Sequence, residues 1–238
     1  MKAKTSGKFP GLPKDLFKFI KELSENNNRE WFNDNKQRYR DSVANPVCDF
    51  VAALAPKLEN ISRYYVADPR SHGGSMFRIY RDARFSKDKR PYKEHIACQF
   101  RHVNGKDAHA PGFYLHMEHN LVRAGGGIWI PPGPALSQIR AAIAEKPEEW
   151  QKVVGNRTFT NRFGDILGEK LVRPPRGYRG DHPQIEHLKR KSHFVMQHIE
   201  LSVAQSPDFL SQIERIYKAA SPFMAFITNA LSLPYHPR

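Results

Sequence analysis

The residues best suited to chemistry are concentrated in the stretch MFRIYRDARFSKDKRPYKEH, residues 76–95. Arg78, Arg81, Arg84, Lys87, Lys89, Arg90 and Lys93 are opposed there only by Asp82, Asp88 and Glu94. Arginine offers a planar fork that matches two oxygens of a phosphate or carboxylate. Lysine offers a mobile point charge, and Ser86 adds a hydroxyl donor. Arg78, Arg81, Arg84, Ser86, Lys87, Lys89 and Lys93 are therefore the candidate ligand-binding residues. The glycine spacing of a phosphate-binding loop is missing, so an ATPase is not indicated. The same residues also have a structural reading. Asp82 and Asp88 can pair with Arg84 and the lysines to pin the loop, with Tyr80 and Tyr92 packed on its stems.

A second constellation is HMEHN, residues 116–120. On a strand, His116 and Glu118 share one face with Tyr114, because side chains alternate. A histidine beside a carboxylate can move a proton, so His116 and Glu118 are the candidate catalytic pair. His95 is a candidate neighbour across the sheet. The spacing does not supply a third metal ligand, and a hydrogen-bonded sheet histidine is the simpler reading, so no metal and no cofactor is expected. Residues 125–127 are three glycines, followed by Ile128 and Trp129. Glycines inside a strand mark a bulge or a close approach, by a ligand at Gly126, Gly127 and Trp129 or by the protein's own chain. Lys189 and Lys191 form a further basic patch, read either as part of a positive cleft or as a solvated helix face.

These residues need elements to position them. Leu16, Phe19, Ile20 and Leu23 predict a helix over 16–25 capped by Asp15, and Asn28 can cap the next over 29–43. Pro46 suits the first turn of a third, lined by Val47, Phe50, Val51, Leu54 and Leu58. The period then falls to two. Residues 75–82, 95–103, 112–120 and 121–130 read as four strands of an antiparallel meander, with turns at 104–107 and 118–121. Helix returns after residue 131. Residues 163–183 read as an ordered loop, 182–191 hold a short helix, and 193–201 are a strand or a helix. The segment 206–233 reads as a helix kinked or broken at Pro222. The expectation is a single α+β domain over 14–233, its central, mostly antiparallel sheet flanked by N- and C-terminal helices. A flexible basic arm, 1–13, precedes it.

The 238 residues are 39% hydrophobic, enough for a buried core. No run approaches the length of a membrane span, and the basic start lacks the apolar stretch of a signal peptide, so the cytoplasm is expected. Cys48 and Cys98 lack CxxC spacing and read as reduced, buried small hydrophobes. Lys plus Arg number 38 against 24 Asp plus Glu, a net +14, which favours polyanions as partners.

Five stretches occur in order: NNNREWF with NK (26–36), DPR with GGSMFRIYRDARFSKDKRPYKEHIA (68–97), PGFYLHME (111–118), GGGIW (125–129) and GYRGDHP with LKRK (177–191). Together they resemble the bacterial and fungal family catalogued as domain of unknown function 2461. The resemblance covers most of residues 12–225. It implies an α+β domain, with no established activity and no known cofactor. The chain departs from the family pattern at Ala83, often Thr, and at His119, often Pro.

The preferred expectation is a basic pocket for a small phosphorylated or nucleotide-like anion, with His116 and Glu118 performing any proton transfer in the same concavity. A nucleic-acid-binding module on the same surface is the alternative, with Tyr80, Phe85 and Tyr92 available to stack on bases. A third is a structural or partner-binding protein whose basic signature only holds the fold.

Overall fold

The structure is a computed structural model that describes residues 9–105 and 109–235. Its first helix, α1 (Lys14–Glu25), buries Leu16, Phe17, Phe19, Ile20 and Leu23. Their three- and four-residue spacing makes one apolar stripe. Pro13, not Asp15, occupies the cap position, and Asp15 in the first turn instead binds the Arg38 guanidinium. Within the segment expected as an arm, 1–13, Phe9 and Leu12 are buried, and the Leu12 N–H donates to Ala204 O. Residues 1–8 lie outside the described residues.

Helix α2 (Arg29–Asp34) starts where the Asn28 side chain accepts the Trp31 N–H. It is followed by α3 (Lys36–Tyr39), a π-helical turn at Arg40–Ala44 and α4 (Asn45–Glu59), with Pro46 in the first turn of α4. The expected second and third helices therefore run together, with the π turn at their junction. Val47, Phe50, Val51, Leu54 and Leu58 of α4 are buried.

The sheet has four antiparallel strands in the order β1 (Ile96–Arg101), β2 (Gly112–Met117), β3 (Val122–Ile128) and β4 (His193–Ile199). One face carries Ile96, Cys98, Phe100, Phe113, Leu115, Met117, Val122 and Ala124 into the core. The C-terminal helix α10 (Phe209–Ala230) packs there through Ile216, Tyr217, Phe223 and Met224. The opposite face presents Gln99, Tyr114 and His116, with His116 in register between Ala97 and Arg123. Cys98 is buried and Cys48 half-buried, and both are free thiols. The turn expected at 104–107 falls partly outside the described residues, while Glu118 N–H to Leu121 O closes the β2–β3 turn.

One expectation about strands is corrected. Residues 75–82 form no regular strand but only isolated bridges, Met76 with Cys98 and Tyr80 with Tyr92. The segment leaves the β1 edge after Phe77 and pairs with 91–93, where Pro91 has no N–H to extend a ladder. Burial follows a three-residue step, Met76 and Ile79, so the two-residue pattern was misleading. The fourth strand is 193–199, where the sequence is compatible with a strand or a helix and pairing with β3 selects the strand. Helix α10 also runs unbroken through Pro222. Burial of Phe223, Met224, Phe226 and Ile227 around the proline offsets its cost of roughly 3 kcal/mol. Between β3 and β4 the chain forms α5 (Gly133–Glu145), α6 (Pro147–Val154), α7 (Arg157–Phe163), an ordered loop over 164–184 and the short α8 (Ile185–Leu188), and a short α9 (Leu201–Ala204) joins β4 to α10. No helix among the described residues is long and apolar enough to cross a membrane.

The triple glycine belongs to this framework. A Cβ on Gly125 would stand 1.8 Å from Val195 O, and one on Gly126 would stand 2.8 Å from Met224 Sδ on the core side. Gly127, at φ +144°, would meet the backbone of His193 and Phe194. The close approach at all three is made by the protein's own chain. Gly125→Ala is expected to lose about 3 kcal/mol of stability by prying β3 from β4. Urea unfolding should show a lower midpoint at unchanged slope. Gly133→Ala, where a Cβ meets nothing within 4 Å, should stay near wild type.

Candidate functional site

The basic loop is held from a distance. Asn27 donates from Nδ2 to Tyr92 O and accepts the Tyr92 N–H at Oδ1, both at 3.1 Å. The same amide reaches Glu94 Oε1 at 3.0 Å. Phe32 stacks on the Tyr92 ring with centroids 4.1 Å apart, and Tyr80 lies 5.4 Å from Tyr92. Lys93 N–H to Ile79 O and Arg81 N–H to Pro91 O close a narrow hairpin. These contacts deliver the stems of the loop as the structural reading anticipated.

Carboxylates then take up much of the loop's charge. Asp88 binds Arg90 at 2.7 Å and Arg81 at 2.6 Å, and these two hydrogen bonds hold its carboxyl well below the usual range. Asp82 binds Arg84 at 2.6 Å, and that bond lowers its pKa to about 2. Lys89 Nζ donates to Ala83 O at 3.0 Å. The Ser86 N–H closes a turn onto Ala83 O, and Arg78 and Lys87 are exposed.

Between this loop and α2 lies a cleft of about 510 Å³. Arg29, Arg81, Arg84 and Lys89 line it against one carboxylate, Asp82, together with Asn33 and Tyr80. Arg29 and Asn33 were not singled out from the sequence. The available signal was the run NNNRE, richer in amides than a helix boundary needs. Of the sequence candidates, Arg81, Arg84 and Lys89 meet in the cleft.

His116 and Glu118 meet elsewhere, on the open face of the sheet. Glu118 Oε1 lies 2.8 Å from His116 Nε2. An ionised carboxylate only accepts, so Nε2 carries the proton and Nδ1 is left as the acceptor. The Tyr114 hydroxyl lies 3.4 Å from Nδ1. Burial pushes the Tyr114 phenol up to about 12. The His95 ring lies 4.7 Å from His116. Burial first, then the charge of His116 and of Lys93, bring its pKa down to about 4. Lys93 sits half-buried with Nζ 5.2 Å from the centre of the Phe77 ring. None of Lys93, His95, His116 and Glu118 lines the cleft, so the basic cleft and the histidine cluster are two places. Among the described residues no group of three His, Cys, Asp or Glu is arranged for a metal ion.

The remaining candidates lie apart from both. Trp129 is exposed and stacks on His109 at 5.8 Å. Lys189 pairs with Glu186 at 2.9 Å and Lys191 with Glu169 at 3.0 Å. They precede β4, at the end of the sheet away from Lys93 and His95.

The buried histidines set an acid limit. His95 is held neutral, and His193, fully enclosed, is brought to about 3 by burial. Both folded values lie below the unfolded 6.5, so the unfolded chain binds more protons in between. Stability is therefore complete above about 6.5 and falls as pH drops through about 4. Urea midpoints at pH 7.5, 6, 5 and 4.5 should decline, and His95→Gln should reduce that decline.

The family model described as conserved hypothetical protein (DUF2461) matches residues 15–226. No curated protein and no solved structure matches the chain. The match spans most of the domain, including both the cleft and the histidine cluster, and the chain belongs to this family.

Proposed function

We propose that the protein binds a small anionic ligand, phosphorylated or nucleotide-like, in the cleft between α2 and the basic loop. The observation that carries this reading is the lining of the cleft: four cations against one carboxylate, in a volume suited to a small molecule. Tyr80, 47% exposed, offers a ring face for a planar group beside the charges. The Arg84–Asp82 pair is mostly solvent-exposed. Exposed pairs of this kind contribute little because solvent screens them, so a phosphate can compete for Arg84. His116 and Glu118 are the groups available for proton transfer, on the open face rather than inside the cleft.

Single-stranded nucleic acid is the second reading, favoured by Phe85. It is 96% exposed at the loop tip, with the Arg84 guanidinium 5.8 Å from its ring centre. That arrangement suits stacking on a base.

Thermal melting with pyrophosphate, adenosine diphosphate and a short oligothymidylate separates the readings. A small anion at a hundred times its Kd should raise Tm by about 5–10 °C. Arg84→Ala with Lys89→Ala should weaken binding by about tenfold or more, while Phe85→Ala leaves it unchanged. An oligonucleotide that binds better than either small anion, and loses binding in Phe85→Ala, would favour the second reading. Anion binding unaffected by the double variant would remove the cleft from consideration.

A further inference from the structure

The segments DPR (68–70) and GGS (73–75) take no part in the basic cleft. They form a loop closed at its neck. Ser75 N–H donates to Asp68 O at 2.8 Å, and Asp68 N–H donates to Ser75 Oγ at 2.9 Å. Gln99 N–H to Ser75 O, at 2.8 Å, fastens that neck to the edge of β1. On the N-terminal side of the loop, 64–66 pair with 101–103. Val66 N–H donates to Arg101 O and Val103 N–H to Tyr64 O, with Tyr65 bridged to His102. Tyr65 and His102 are buried, so alternation turns Val66, Arg101 and Val103 to the other face. There they and the loop enclose a second pocket, of about 170 Å³, lined also by Arg70, Gly73 and Gly74. It shares no lining residue with the cleft.

Two features of this pocket point to a ligand. Arg101 is half-buried, yet its guanidinium has no hydrogen bond and no carboxylate partner among the described residues. Asp68, the one carboxylate of the lining, is occupied by the Arg70 fork, with Nε at 3.0 and 2.9 Å from its two oxygens. One positive charge is therefore left uncancelled. Val66 and Val103 stand beside it 44% and 57% exposed, apolar surface that burial would favour. We propose that the pocket binds a short-chain monocarboxylate, its carboxylate on Arg101 and its aliphatic chain against Val66 and Val103. The guanidinium fork matches the two oxygens of a carboxylate. The volume lies below the roughly 300 Å³ at which pockets for drug-sized molecules begin, so the chain is short and a nucleotide does not fit. A bare phosphate would use Arg101 but leave both valines in water. The site does not depend on the anion reading of the cleft.

The experiment is a titration of the full chain with isovalerate at constant ionic strength, followed by the NMR amide signals of Gly73, Gly74 and Gly105, which line the pocket. A saturable shift of these signals is expected. Isovaleramide, of the same shape without the charge, should bind at least tenfold more weakly, as loss of a charge-assisted contact predicts. Inorganic phosphate should also bind at least tenfold more weakly, because it makes no contact with the valines. Arg101→Gln should cut isovalerate affinity by about tenfold or more with the melting curve preserved, and Val103→Thr should cut it severalfold. Arg84→Ala with Lys89→Ala should leave isovalerate binding unchanged, so failure of the cleft and failure of this pocket are told apart. The absence of a saturable shift overturns the proposal, as does isovaleramide or phosphate binding as well as isovalerate. If Arg101→Gln fails to fold, the acid and its amide compared on the wild-type protein decide, and equal binding overturns the proposal.

Discussion

The local architecture depends on one amide. Asn27 grips Tyr92 by both backbone groups, as a neighbouring strand would, at a point where Pro91 prevents a regular ladder. With Phe32 stacked on the same ring, it fixes the path of residues 91–95. That path has two sides. Pro91 and Tyr92 form a wall of the cleft, while His95 meets His116 on the open side of the sheet. A side chain in a helix boundary thus positions the wall of the cleft and the approach to His95, while Tyr114 and His116 are held by β2 of the sheet.

The crowding of positive charge divides into two jobs. Arg81, Arg84 and Arg90 are held by carboxylates of the loop itself, and Asp88 ties two of them to one point. Such exposed pairs contribute little stability singly, but a carboxylate shared by two guanidiniums restricts how the loop bends. The rest of the charge, at Arg78, Lys87, Lys89 and Lys93, is not cancelled in this way among the described residues. The framework and ligand readings overlap at Arg81 and Arg84, which line the cleft while paired to Asp88 and Asp82, so a ligand there competes with the loop's own carboxylates.

What could be read from the sequence follows from the range of each signal. The shared face of His116 and Glu118 was legible because strand alternation is local, and the structure puts them 2.8 Å apart. The α+β class was legible because the hydrophobic period changes on either side of the sheet. Residues 75–82 misled because Phe77, Ile79 and Tyr80 interleaved with arginines imitate an alternating strand, while the real constraint is two competing pairing partners. Arg29 and Asn27 were not legible as site residues. Asn27 acts across 65 positions, and NNNRE read locally is only a helix stop and start. Lys189 and Lys191 looked like part of the same basic field, yet strand order sends them to the far end of the sheet.

The triple glycine bears on how sequence variation in such a fold is to be interpreted. Gly125 and Gly127 are intolerant of any side chain because the β4 backbone already fills that space, whereas Gly126 faces the movable Met224 side chain. In a selection for function, Gly125 and Gly127 would be as invariant as a residue that touches a ligand. Invariance here records the spacing between two strands. Depletion of variants at residues 125 and 127 would map the seam of the sheet. Only positions where the folded protein is abundant but inactive would map the chemistry.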